Sequence, residues 1–146
     1  MIGSWKRFRA ILSLGMEVYV MSQKNKLAKL FRNVALILLF SMGAFFFVFA
    51  LLSGAEEYGG GLRGIVKNSP NALPWLLLLI LIYVAWQWEL VGGVLISLMG
   101  VFTIFFFNVF KHLFALFAIS IPLILLGGLL IASWYLSRES GHEDVS

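Results

Sequence analysis

The fold is decided by the apolar run of residues 74–110, PWLLLLILIYVAWQWELVGGVLISLMGVFTIFFFNVF. A single helix of this length would measure about 55 Å, whereas the hydrocarbon core of a bilayer is about 30 Å thick. The run must therefore double back. Its polar and glycine-containing centre is the segment 86–93, WQWELVGG, so the sequence predicts a tight turn close to Trp88-Glu89.

The composition of the whole chain indicates which solvent surrounds these helices. Of the 146 residues, 61% are hydrophobic and 12% are charged, and the mean hydropathy is +0.96. Soluble domains contain about 25% charged residues, so a water-soluble fold of this size could not cover so much apolar surface. We therefore predict an all-α integral membrane protein.

Four segments of the chain are apolar and close to the ~20 residues that a membrane-spanning helix needs. We predict a four-helix bundle of two transmembrane hairpins, with spans at about residues 34–53, 73–88, 90–108 and 113–136. The connecting segment 54–72 contains three successive glycines and an Asn-Ser-Pro-Asn cluster, and is predicted to be an exposed loop. A basic segment, residues 1–33, precedes the bundle, and a polar tail, residues 137–146, follows it.

The charges are distributed unevenly along the chain. Residues 1–33 carry a net charge of +6, from Glu17 and seven basic residues: Lys6, Arg7, Arg9, Lys24, Lys26, Lys29 and Arg32. The remainder holds four basic and six acidic residues, a net charge of −2. Basic residues concentrate on the cytoplasmic side, so both ends of the chain are predicted to lie there. Because the basic patch adjoins a hydrophobic span, its predicted partner is anionic lipid, and not nucleic acid.

Residues 1–22 allow two interpretations. Bulky apolar residues recur there at helical spacing: Trp5, Phe8, Leu12, Met16 and Tyr19. This pattern is typical of a basic amphipathic helix that lies in the membrane interface. The alternative is that translation starts at Met16 or Met21. The first span exceeds the 7–15 apolar residues of a signal peptide, which favours an uncleaved anchor.

Glycines and one proline are predicted to shape the helix contacts, because small residues let membrane helices approach closely. The predicted packing residues are Gly92, Gly93, Gly100, Gly127 and Gly128. Pro122 lies inside the fourth predicted span and is expected to kink it.

The second and fourth predicted spans share a pattern. Pro74 precedes Trp86 by twelve positions, and Pro122 precedes Trp134 by the same number. The two hairpins can descend from one duplicated unit, as the parallel repeats of some transporters do. Chance is the alternative explanation, since an apolar chain uses few residue types.

Glu89 is the one acidic residue inside the apolar region. One interpretation is a proton-binding or cation-binding carboxylate flanked by Trp86 and Trp88, because acids at membrane depth are costly and usually functional. The other is a residue that starts the third helix, where a carboxylate meets the positive helix end. No predicted span carries a second acid, a histidine or an arginine, so no catalytic pair and no enzyme activity is expected. The absence of cysteine and the wide separation of the two histidines argue against a metal site, and no cofactor is expected.

The segment 86–93, followed by Gly100 and later by Pro122 with Gly127, resembles small prokaryotic four-span membrane proteins that are grouped as domains of unknown function. The resemblance covers roughly residues 30–136 by the placement of the spans. It implies the fold and residence in a bacterial or archaeal cell membrane, and it brings no activity.

These observations lead to three functional hypotheses. The first is a non-enzymatic accessory or scaffold protein that binds a membrane-protein partner, or its own copies, through glycine-lined faces. The second is a small oligomeric transporter or channel that uses Glu89. The third is a lipid or envelope-stress sensor that acts through the basic N-terminal helix.

Overall fold

The computed structural model describes residues 2–55, 58–106, 114 and 116–142. In these ranges the chain is all-helical, as predicted, and contains no strand. The α-helices are α1 (Ile2–Ser53), α2 (Gly61–Asn68), α3 (Leu73–Gln87), α4 (Glu89–Phe106) and α5 (Ile121–His142). A 3₁₀ turn, Ser69–Ala72, joins α2 to α3, and a π-helical turn, Leu116–Ser120, leads into α5. The predicted ends of spans three and four, near residues 108 and 113, lie outside the described residues.

The first helix is longer than the sequence analysis expected. It contains 52 residues, which corresponds to about 78 Å at ~1.5 Å per residue. No proline interrupts it, and most of its residues are good helix formers. The N-terminal segment is therefore the uninterrupted continuation of the first predicted span, and not a separate helix joined by a break.

The connection between α1 and α3 is more ordered than predicted. The segment 54–72 was expected to be an exposed loop, but α2 and the 3₁₀ turn occupy most of it. Asn68 explains the order: it is buried, and its Nδ2 donates to the carbonyls of Ala50 at 2.7 Å and Leu51 at 3.1 Å. These carbonyls belong to the last turn of α1, which lacks intrahelical partners. We call this end of the bundle the Asn68 end.

The helices α3 and α4 form a hairpin at the other end of the bundle. The break falls at Trp88, whose extended backbone (φ −130°, ψ 89°) separates Gln87 from Glu89, at the place where the sequence predicted the turn. Gly92 makes the tight turn feasible, because a Cβ there would overlap the backbone of Ala85. We call this end the turn end.

The four long helices form a ring in which each one packs against two neighbours. The most extensive contacts join α5 to α4 and to α1, and α3 contacts α1 and α4. Ser133 Oγ donates to the carbonyl of Ala28 at 2.7 Å, so the C-terminal half of α5 lies beside the middle of α1. The centre of the ring is filled by fully buried aliphatic side chains: Leu39, Leu78, Ile96, Leu123 and Leu130.

Four of the five predicted packing glycines lie at helix contacts. Besides Gly92, Gly93 lies against the carbonyl of Gly127, and Gly100 lies against Ile124 of α5. Gly127 in turn faces the Ser97 hydroxyl. The prediction that Gly128 packs against another helix was wrong within this chain, because a Cβ there would meet nothing within 4 Å. Gly128 follows Gly127 and therefore faces about 100° away from it around the helix.

Pro122, which is predicted to kink its helix, lies close to a π-helical turn. Pro122 is the second residue of α5, directly after the π-helical turn that ends at Ser120. A proline supplies no N–H, which disturbs the hydrogen bonding of the preceding turn. The buried Ser120 Oγ lies 2.8 Å from the Thr103 Oγ1 of α4, and this pair links the two helices.

Three helical stretches are long and apolar enough to cross a membrane: Trp5–Ser53, Gly61–Gln87 and Leu116–Glu139. The helix α4 is also apolar but shorter. Large apolar side chains also cover the outside of the ring, including Phe40, Phe45, Phe49 and Phe102. The helices are thus apolar both towards the core of the bundle and on its outer surface. Helices that are hydrophobic on all sides are typical of a protein core or a membrane.

Candidate functional site: a cleft at the turn end

The turn end contains an open cleft of about 410 Å³. Four parts of the fold contribute to it: α1, the end of α3, the start of α4, and α5. Its lining includes three aromatic rings, one cation and one carboxylate, namely Trp86, Trp88, Trp134, Arg32 and Glu89. The volume falls within the ~300–1,000 Å³ typical of small-molecule sites.

Glu89 is the residue with unused bonding capacity in this cleft. It is the first residue of α4, so its carboxylate lies at the positive end of a helix, as one of the two interpretations predicted. Its Oε1 is nevertheless buried and has no hydrogen-bond partner. A buried acceptor without a partner is costly, and native structures contain few of them. The position therefore combines a structural role with an unsatisfied acceptor.

Arg32 supplies the positive charge of the cleft. Its Nη2 donates to the carbonyl of Trp86 at 2.8 Å and thereby caps the last turn of α3. Within the described residues no ion pair joins Arg32 to Glu89. Because a guanidinium has five N–H donors in a planar fork, one bond to a carbonyl leaves donors for an anion. The sequence analysis assigned Arg32 to the membrane surface and did not predict its place beside Glu89.

The three tryptophans of the cleft come from the turn between α3 and α4 and from α5. Trp86 and Trp88 flank the turn and are 61% and 65% exposed. Trp134 reaches the same cleft from α5, so the two tryptophans of the Pro-to-Trp pattern lie at one site. The Cζ of Arg138 lies 5.1 Å from the Trp134 ring centroid, a cation–π distance. Trp134 was not predicted as a site residue, although its matching distance from Pro122 was a usable signal.

The other predicted basic residues lie outside the cleft. Lys24 pairs with Glu139 of α5 at 3.2 Å, and the two side chains are 38% and 64% exposed. Lys26 and Lys29 are exposed on the same part of α1. Lys6, Arg7 and Arg9 are exposed near its start. These six residues therefore remain surface charges, and Arg32 is the one that the fold brings into the site.

An apolar groove adjoins the cleft. It runs between α1 and α3, has a volume of about 480 Å³, and is lined by Leu36, Phe40, Tyr83 and Trp86 among others. Trp86 lines both cavities, so the groove leads along the outside of the bundle towards the charged cleft.

The lining of the cleft combines one cation, one carboxylate and aromatic rings. Among the described residues there is no cluster of three or more acidic or histidine side chains that could hold a metal ion. Glu89 is the one carboxylate among the residues that line the cleft. The cleft can instead hold a polar group between an arginine and a carboxylate, with aromatic walls.

A family model described as a domain of unknown function, DUF7670, matches residues 21–142. The match includes the whole cleft and all four long helices, apart from residues 2–20 of α1. No curated protein and no solved structure matches the chain.

Proposed function

The chain belongs to the DUF7670 family, and we propose that it is a non-enzymatic accessory or scaffold protein of a prokaryotic cell membrane. Four helices span the bilayer in this proposal, and both termini lie in the cytoplasm. The apolar outer surface supports the membrane location. The seven basic residues of α1, all within residues 6–32, support the orientation.

The observation that carries the accessory role is the exposed start of α1. Residues 2–23 precede the ion pair of Lys24 with Glu139 of α5, and we call them the N-terminal arm. The arm is about 33 Å long. Its side chains from Trp5 to Val20 are all exposed, including Ile11 at 67% and Met16 at 71%. Contiguous exposed apolar surface of this kind marks a site of interaction with protein or membrane.

The arm replaces the glycine faces as the proposed partner-binding surface. Gly92, Gly93, Gly100 and Gly127 pack against residues of the same chain, so they are not free to bind another protein. The side chains of the arm are exposed from Trp5 to Val20. Apolar side chains lie on more than one side of it, because Leu14 and Val18 share one face of the helix and Phe8 and Leu12 share another. A helix of a membrane-protein partner would cover that surface.

The orientation can be tested directly because the chain contains no cysteine. Single cysteines at Ser22, Ser69 and Ser137, all exposed positions, would be treated in intact cells with a membrane-impermeant thiol reagent. We expect labelling at Ser69→Cys alone, and labelling of all three after the membrane is opened. Labelling of Ser22→Cys or Ser137→Cys in intact cells would refute the proposed topology.

The role of the arm can be tested with two matched triple variants. One replaces the apolar residues Ile11, Leu14 and Val18 with serine, and the other replaces Lys6, Arg7 and Arg9 with glutamine. We expect the apolar variant to lose co-purification of its membrane-protein partner after cross-linking, and the charge variant to retain it. Loss in the charge variant alone would favour the lipid-sensor hypothesis, in which the arm reads anionic lipid.

A second candidate function is a small oligomeric transporter or channel that uses Glu89. The buried and unpartnered Oε1 favours it, because such a carboxylate can take up a proton or a cation. The test is a proton or cation flux into liposomes that contain the purified chain. Glu89→Gln should abolish the flux and Glu139→Gln, a carboxylate in an exposed ion pair, should not. Absence of any flux in the unmodified protein would eliminate this candidate.

A further inference from the structure

We propose that the cleft and the adjoining groove form a binding site for one phospholipid with an ethanolamine headgroup. The inference rests on the membrane location proposed above. It assigns a role to three features that the accessory function leaves unused: the unpartnered Glu89, the free donors of Arg32, and the apolar groove between α1 and α3.

The charges of the cleft select a zwitterionic group. Arg32 and Glu89 line the same cavity without forming an ion pair. A phosphate can bind the guanidinium, for which a planar fork of donors is well suited. A carboxylate in the same cleft would repel a headgroup that carries only negative charge. A headgroup with both a phosphate and an ammonium group matches the two protein charges.

The unpartnered carboxylate oxygen of Glu89 further favours a primary amine. This atom, Oε1, is a buried acceptor that lacks a hydrogen-bond donor. An ethanolamine ammonium has three N–H donors and can satisfy this acceptor once the carboxylate rotates towards the cleft, whereas a choline group has none. The aromatic walls formed by Trp86, Trp88 and Trp134 suit a cation of either type, because ring faces attract positive charge. The discrimination between the two headgroups therefore comes from Glu89.

The groove accommodates the acyl chain of the same molecule. Its lining is almost entirely apolar, with Leu36, Phe40 and Tyr83 along its length. Trp86 belongs to both cavities, so a headgroup in the cleft and a chain in the groove can belong to one lipid. The two volumes, about 410 and 480 Å³, provide separate room for the polar and apolar parts.

The test is native mass spectrometry of the full chain in a mild detergent, titrated with phospholipids that share acyl chains and differ in headgroup. The three probes are phosphatidylethanolamine, phosphatidylcholine and phosphatidylglycerol. We expect a single-lipid complex that favours ethanolamine over choline by about ten-fold, the typical effect of a hydrogen bond to a charged group. Equal binding of ethanolamine and choline lipids by the unmodified protein would overturn the proposal, as would a preference for phosphatidylglycerol.

Three variants separate the contributions within the site. Glu89→Gln should reduce the ethanolamine preference to about one, because the amide lacks the negative charge that pairs with the ammonium. Arg32→Gln should weaken binding of both zwitterionic lipids alike, since both contain the phosphate. Glu139→Gln, outside the cleft, should change neither. An ethanolamine preference that survives Glu89→Gln would overturn the assignment. Failure of the cysteine-labelling experiment would instead contradict the topology, so the two proposals fail separately.

Discussion

The two ends of the bundle use their polar residues differently. At the Asn68 end, a buried amide bonds two carbonyls of the last turn of α1, and Asn71 lies 3.5 Å from one of them. At the turn end, Arg32 caps α3, but the buried Oε1 of Glu89 has no partner, and Glu89 lines an open cleft. At the Asn68 end the polar groups form hydrogen bonds within the chain, whereas at the turn end a carboxylate oxygen has no hydrogen-bond donor. We therefore expect a ligand to bind at the turn end.

The largest effect is expected where the turn end is most tightly packed. A Cβ at Gly92 would overlap backbone atoms of Ala85, so Gly92→Ala must force α3 and α4 apart. Overpacking of this kind costs about 1–3 kcal/mol, and more where backbone must move. We expect a marked loss of thermal stability in detergent, measured by circular dichroism.

Gly128 provides the matched control for Gly92. Nothing lies within 4 Å of a Cβ at this position, and alanine is favoured over glycine in a helix by about 0.5–1 kcal/mol. Gly128→Ala should therefore leave thermal stability unchanged or raise it. A destabilised Gly128→Ala protein would show that this face of α5 is covered, for example by a second copy of the chain.

An intermediate effect is expected at the Asn68 end. Asn68→Ala removes both of its bonds to the carbonyls of α1, at a cost of about 1–3 kcal/mol. The longer bond from Asn71 to the Ala50 carbonyl remains. Hydrogen exchange should accelerate in the last turn of α1, around Ala50 and Leu51. Asn71→Ala is the control, because Asn71 is exposed and its bond is longer. Equal effects of the two substitutions would contradict the assigned role of Asn68 as the cap.

Sequence patterns predicted the parts of this fold that depend on length and hydropathy. The run 74–110 was too long for one helix, and its polar centre located the helix break at Trp88. Local patterns did not predict Asn68 as a cap, because the carbonyls that it binds lie 17 and 18 residues earlier in the chain. Segment 54–72 consequently looked like an exposed loop.

The same limit applied to the candidate site. Glu89 and its two flanking tryptophans were predicted because they are adjacent in sequence and polar residues are rare there. Arg32 and Trp134 reach the cleft from α1 and α5, and only the packing of the ring brings them to the turn. Gly128, in contrast, was predicted to pack and does not, because composition alone does not show which face of α5 is covered.

The smallest effect on folding is expected at Glu89, and it separates the two ends most clearly. Glu89→Gln gives up a favourable interaction with the start of α4, worth about 0.3–1 kcal/mol. It also removes the cost of a partly buried carboxylate whose Oε1 has no partner. Because these contributions oppose each other, the free energy of unfolding in lipid-free detergent should change by less than about 1 kcal/mol.

Chemical denaturation of Glu89→Gln and Glu139→Gln in parallel measures this difference. Glu139 belongs to an exposed ion pair, and such pairs contribute about 0–1 kcal/mol, so both variants should unfold close to the unmodified protein. A loss at Glu89 as large as that of Asn68→Ala would mean that the carboxylate is part of the structural framework. In that case the turn end would be capped as completely as the Asn68 end, and its cleft would have no free acceptor for a ligand.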